Sequence, residues 1–232
     1  MALKVLFNKG RNVSSTCHLN YFAQDGKLFI MDNHMAAIWC MEKLDRATQY
    51  SFLHIDAHYD LGAVPLEHKY YLDLDLTQIP VEDLMTFKST YWKGGNVPFF
   101  LWDNYIHLFA DKFPNIINRY IFVTQKGGGF VPIKVDTEEK DIWHLKYMFQ
   151  EYPLENWILN FDIDYFIEED EGEYKQIFTD DYIREVGKWI KKNYDRFHQI
   201  MIALSPECSG GWEQSLRIAN ILLEPLEIEV EI

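Results

Sequence analysis

Tyr50-Ser-Phe-Leu-His-Ile-Asp56-Ala-His58-Tyr-Asp60 is an apolar run of strand length that ends in alternating carboxylates and an imidazole. Residues 50–56 read as a buried strand, and the side chains of Asp56, His58 and Asp60 leave its end at two-residue spacing. Trp157-Ile-Leu-Asn-Phe-Asp162-Ile-Asp164 repeats the design, with a strand expected over 156–162. Buried like charges repel one another, and the repulsion opposes folding unless a cation sits among them. The two stretches together predict a metal site, and two ions if carboxylates are shared between them.

Working outward, strands are expected at 2–7, 27–31 (after an Asp25-Gly26 turn), 118–124 and 198–204. Helices are expected over 34–48, 81–88, 101–112, 137–150, 180–197 and 210–222. The helix over 180–197 carries the clearest period, from Ile183 through Val186, Trp189, Ile190 and Tyr194 to Phe197. The apolar stretch from Ile221 to Ile232 alternates with acids and is expected to close the chain's own sheet. Strands alternating with helices imply βαβ units, a mostly parallel sheet, and a three-layer α/β/α class. Ligands of such sheets bind outside the carboxyl ends of the strands. Four runs end in acids or histidine there: Leu28 to His34, the Asp56 run, the Asp162 run, and Ile200 to Glu207.

The chain has 232 residues, 48% of them apolar, and nothing in it marks a linker, a repeat or a boundary, so residues 1–232 read as one domain. Its apolar runs are far shorter than the roughly 20 residues that cross a bilayer. Cys17, Cys40 and Cys208 form no CxxC and no even framework, so reduced thiols and a cytoplasmic location are expected. A net charge of −14 argues against nucleic acid as a partner and suits a metal or a cationic substrate, although an acidic solvated surface has the same charge. Carboxylates with some imidazole favour ions such as Mn²⁺ over thiolate-seeking Zn²⁺.

The Asp-x-His-x-Asp stretch at 56–60 and the Asp-x-Asp at 162–164 resemble the arginase–deacetylase superfamily, whose members hold two manganese ions on these motifs and an earlier histidine. His34, in Asp32-Asn33-His34, stands where that histidine is expected. The resemblance implies an arginase-like fold and two Mn²⁺ per chain. It makes Asp56 and Asp162 bridging carboxylates, His34 and Asp60 further ligands of one ion, and His58 and Asp164 further ligands of the other. His-Ile-Asp-Ala-His-Tyr-Asp-Leu, Asn-Phe-Asp-Ile-Asp-Tyr-Phe and Leu-Ser-Pro-Glu-Cys-Ser-Gly-Gly-Trp are similar more narrowly to the peptide arginases, which convert arginine within ribosomally made peptides to ornithine and urea. Gly62 stands where free-arginine arginases carry an asparagine that grips the α-carboxylate. The resemblance thus implies room for a peptide backbone beside Gly62, and an arginine-containing precursor peptide as partner.

Beyond the ligands, Glu207 is expected either to pair with a guanidinium or to cap the following helix. Glu213 is a weaker alternative, expected as an exposed helical residue. Asp60 is a candidate proton carrier. His68, on the loop after the 56–60 motif, is the first candidate proton shuttle and His18 the second. His54 is expected to face away from the ligands, as a core or supporting residue. Tyr59 and Tyr165 flank the ligands and are candidate pocket walls, and Cys208 has no neighbour in sequence that would activate its thiol. The alternative reading is another ureohydrolase or amidohydrolase of the superfamily, acting on a small guanidino compound or an acetylated amine. A fold retained for binding alone is a third, and homo-oligomerisation is left open.

Overall fold

The computed structural model describes residues 3–64, 69–91, 95–125, 136–152 and 156–232. Its strands are β1 (Lys4–Asn8), β2 (Tyr21–Asp25), β3 (Leu28–Met31), β4 (Tyr50–Asp56), β5 (Lys88–Tyr91), β6 (Gly95–Pro98), β7 (Ile117–Thr124), β8 (Asp136–Glu139), β9 (Trp157–Asp162), β10 (Ile167–Asp170), β11 (Glu173–Gln176) and β12 (Phe197–Ala203). Its α-helices are α1 (Ala37–Met41), α2 (Lys69–Asp73), α3 (Tyr105–Lys112), α4 (Leu145–Glu151), α5 (Asp180–Lys192) and α6 (Trp212–Leu223).

The fold is α/β, built on an eight-stranded sheet in the order β1-β2-β3-β12-β9-β4-β7-β8. Neighbours from β3 to β8 pair in parallel, and β1 and β2 extend one edge antiparallel. From β4 the chain moves outward through β7 to β8. From β9 it moves the other way to β12. The order therefore reverses between β4 and β9, the place where open α/β sheets form a ligand crevice.

Alternation along the central strands feeds two apolar cores. Leu53 and Ile55 of β4, Leu159 and Phe161 of β9, and Ile200 and Ile202 of β12 join α4, α5 and α6 in one core. Phe52, Ile158, Met201 and Ala203, one residue out of step with them, join α1 and α3 in the other. Strands buried on both faces explain why these runs read as nearly continuous apolar sequence.

Several expected elements differ. The helix expected over 34–48 is a 3₁₀ turn at His34–Ala36 followed by α1, which stops at Met41. The expected helix over 81–88 is a 3₁₀ stretch, Val81–Thr86, leading into the β5–β6 hairpin. The expected 101–112 helix starts at Tyr105, because the Asn104 side chain accepts the Leu101 N–H (3.0 Å) and holds the preceding turn. The expected 137–150 helix splits into edge strand β8 and helix α4. Acidic residues are poor strand formers, but an exposed edge tolerates them, and Glu138 is held by Arg119 of β7 (2.5 Å) and by Lys140 (3.1 Å). The 180–197 helix ends at Lys192, and Phe197 already belongs to β12. Strand β2 and hairpin β10–β11 were not anticipated. The C-terminal segment does not join the sheet: after α6 and a 3₁₀ turn, Ile228 and Val230 bury into the first core, and the Val230 N–H donates to Asn220 Oδ1 (2.8 Å).

Candidate metal centre

Register Ile55↔Phe161 between β4 and β9 brings Asp56 and Asp162 side by side as the two strands end. Both strands then turn by the same local device. Asp56 Oδ1 accepts the His58 N–H (2.6 Å), and Asp162 Oδ1 accepts the Asp164 N–H (3.0 Å). An aspartate bonded to the backbone two residues on folds the chain into an Asx-turn, so residue i+2 returns to the same spot. Asp164 Oδ1 also accepts the Ala57 N–H (3.1 Å), lacing the two turns together. Asp60 adopts a left-handed backbone (φ 51°), rare for a residue with a side chain. His34 enters from the turn after β3, two strands away from β9, where Asn33 caps the Met35 N–H (3.0 Å).

His34 Nδ1 lies 3.2 Å from Asp56 Oδ2, 3.0 Å from Asp60 Oδ2 and 3.2 Å from Asp162 Oδ2. His58 Nδ1 lies 3.4 Å from Asp56 Oδ1 and 3.1 Å from Asp164 Oδ2. Two groups with metal-ligand spacing result, His34–Asp56–Asp60 and Asp56–His58–Asp164, which share Asp56. His34 Nδ1 and Asp56 Oδ2 are buried and make no well-aligned hydrogen bond, and one imidazole nitrogen faces three carboxylate oxygens that a single proton cannot satisfy. The donor set therefore fits a divalent cation, and Asp56 is common to both groups, with Asp162 beside them against His34.

The electrostatics tell the same story. Burial disfavours charge on His34, but Asp162, Asp56 and Asp60 together outweigh it and hold the imidazole pKa well above its usual range. Asp164 and Asp56 raise His58 to about 11. Burial, with the Asp56 charge next, raises Asp60 and Asp162. Burial and the neighbouring Asp162 lift Asp164 to about 6. In the metal-free chain the two imidazoles retain protons that stand in for cations.

Behind the ligands lies a polar ladder. His54 pairs in register with Asn160, and Asn160 Nδ2 donates to His54 Nδ1 (2.8 Å) while Asn160 Oδ1 meets His34 Nε2 (3.0 Å). Burial lowers the His54 pKa to about 3, so it is neutral, accepting at Nδ1 and donating from Nε2 to the His58 carbonyl (3.1 Å). His54 does not face away from the ligands: residues 54 and 56 share strand parity, and His54 Nε2 is 3.5 Å from Asp56 Oδ2. Its expected supporting role stands.

A cavity of about 360 Å³ opens over the cluster, lined by all six expected ligands together with Tyr59, Leu61, Gly62, Trp102, Asp103, Ser205 and Cys208. The run after β12 thus contributes Ser205, whose hydroxyl donates to Asp162 Oδ2 (2.5 Å), and Cys208, whose thiol is kept protonated by burial and the nearby carboxylates. Glu207 lies outside this lining: its Oε1 accepts the Ser14 N–H (2.5 Å), and Gly211, not Glu207, precedes α6. Asp32, at the end of β3, likewise pins this N-terminal loop, accepting from the Ser14 hydroxyl (2.5 Å) and the Tyr21 N–H (2.8 Å). Tyr59 lines the cavity and donates to Glu139 (2.6 Å). Tyr165 packs into the first core instead. His18 is exposed beside Ser15, Glu213 is exposed on α6, and His68 lies outside the described residues.

Gly62 differs from expectation in a specific way. A Cβ at this position would come within 2.8 Å of Asp103 Cγ, Oδ2 and carbonyl oxygen. The room beside Gly62 is occupied by Asp103. Sequence reading missed Asp103 and Trp102, because nothing local to either residue signals a site. Among the described residues no helix is long and apolar enough to cross a membrane.

Against known proteins, no family model matches the chain and no curated protein matches it.

Proposed function

We propose that the chain is a binuclear manganese hydrolase of the arginase–deacetylase superfamily, which converts arginine residues within peptides to ornithine and releases urea. The observation that carries this reading is the pair of His/Asp groups sharing Asp56, with His34 Nδ1 buried among three carboxylate oxygens at 3.0–3.2 Å. A parallel sheet with an apolar core on each face is what a three-layer, arginase-like α/β/α fold requires. His34 and Asp60 would serve one ion and His58 and Asp164 the other, with Asp56 and Asp162 common to both. Divalent ions there would supply Lewis acidity and a water acidified to react near neutral pH, and an all-oxygen and imidazole set suits Mn²⁺.

The chain's own residues supply the rest. Of the five carboxylates that line the cavity, four would be balanced by the ions they hold, and Asp103 would leave the lining a net negative charge that favours a cationic substrate. Asp60, whose Oδ2 lies 3.0 Å from His34 Nδ1, would carry a proton to the leaving ornithine nitrogen. Glu207, outside the cavity lining and held by the Ser14 N–H, is given no part in this reading.

The test is direct. Purified protein supplied with Mn²⁺ and an arginine-containing peptide is expected to release urea, with the matching mass decrease in the peptide and about two manganese ions per chain. Asp56→Asn is expected to lose both the urea and the metal. One zinc per chain with deacetylation of an acetylated amine would replace this reading.

A further inference from the structure

Trp102 and Asp103 immediately precede α3 and form a wall of the cavity beside Leu61 and Gly62. The two segments are tied through their backbones, the Gly62 N–H donating to the Asp103 carbonyl (2.5 Å). His107 of α3 adds a second tie, with Nδ1 3.3 Å from the Gly62 carbonyl. The approach is so close that any side chain at 62 would collide with the Asp103 carboxyl. That carboxyl is the fifth in the cavity lining and belongs to neither ligand group. Among the described residues, the basic side chains of the lining are His34 and His58, both turned to cluster carboxylates, and neither lysine nor arginine lines it.

We infer that Asp103 sets substrate specificity: it disfavours guanidino substrates with a free carboxylate at the α-carbon and favours those in which that carboxylate is an amide. The inference rests on the guanidine hydrolysis proposed above. A free amino acid needs donors or a cation for its α-carboxylate. Here the wall beside the 60–62 turn offers an acceptor that carries the same charge. Two carboxylates brought together at a partly buried wall repel more strongly than they do in open solution. An amide carries no such charge, and its N–H groups can donate to Asp103. The residue thus reads donor against acceptor at the position next to the reacting side chain.

N-acetyl-arginine and N-acetyl-argininamide differ only in this group. Their dissociation constants with the manganese-loaded protein, measured by calorimetry, are expected to favour the amide by about tenfold, as are their rates of urea release. Asp103→Asn keeps the shape and removes the charge. It is expected to bring both ratios close to one by improving the acid, and Asp103→Ser should do the same if the first variant folds poorly. High salt should narrow the wild-type ratio in the same direction. An amide preference unchanged in the variants, no preference in the wild type, or binding of neither compound overturns the inference. If both bind and neither yields urea, the proposed reaction fails, and the binding ratio still decides the role of Asp103.

Discussion

Asn160 is fully buried on β9, two residues before Asp162, and its amide joins three rings. Its Nδ2 donates to His54 Nδ1 (2.8 Å) and to the Tyr105 hydroxyl (2.7 Å), which leaves Oδ1 to accept from His34 Nε2–H (3.0 Å). That last bond fixes the His34 tautomer, so its unprotonated Nδ1 faces Asp56, Asp60 and Asp162 when a cation replaces the proton. Such outer partners are typically worth 10–100-fold in metal affinity. Asn160→Leu keeps the volume and loses all three bonds. It is expected to weaken Mn²⁺ binding by about 10–100-fold and to destabilise the metal-free fold by about 1–3 kcal/mol. Metal titration and denaturant unfolding would read the two effects separately. Unchanged Mn²⁺ affinity would mean that Asn160 is a core residue only.

At the scale of elements, α5 and α6 pack against each other closely enough to constrain one residue type. A Cβ at Gly187 would overlap the Leu222 carbonyl oxygen and crowd Pro225. Glycine within a helix costs about 1 kcal/mol relative to alanine, so propensity alone predicts that Gly187→Ala stabilises. The close approach predicts the opposite, because separating packed helices costs typically 1–3 kcal/mol. Gly187→Ala is therefore expected to lower the unfolding midpoint while leaving Mn²⁺ affinity unchanged, since α5 contributes nothing to the cavity lining. Elements also show where local sequence misleads. Glu138 and Glu139 are good helix formers, yet their segment pairs in parallel with β7 as the sheet's edge.

At the scale of the whole molecule, the centre couples stability to pH and to metal. Asp164 is raised from 3.8 to about 6 and His58 from 6.5 to about 11 in the folded chain. Both groups bind protons more tightly folded than unfolded. Their contribution is fully present below the unfolded values and is lost as pH rises through the folded ones. The metal-free protein is thus expected to lose stability as pH climbs from 3.8 toward 6 through Asp164, and from 6.5 toward 11 through His58. A cation bound by these groups would displace the protons, so the stabilising effect of added Mn²⁺ is expected to grow as pH rises. At a hundredfold excess over Kd, one site contributes about 2.7 kcal/mol, an upward shift in Tm of roughly 5–10 °C for a chain of this size. Melting curves with and without Mn²⁺ across this range would check it. A metal-induced shift that shrinks as pH rises would contradict the assignment of these groups as ligands.

The His/Asp cluster was legible because its signals are local. Strand-length apolar runs, and aspartates spaced to make an Asx-turn at their ends, bring residues 56, 58, 162 and 164 back to one place without help from elsewhere. The parallel sheet followed from the alternation of strands and helices, and the rule that ligands gather at strand ends followed from the sheet. The position of the strand-order reversal, the His54–Asn160–His34 ladder and the Asp103 carboxyl beside Gly62 depend on which strands and loops become neighbours. Periodicity and turn chemistry fix what each segment can form. Register and close approach between distant segments are set by the packing of the whole chain, which explains why Gly62 alone suggested open space and the fold filled it with a charge.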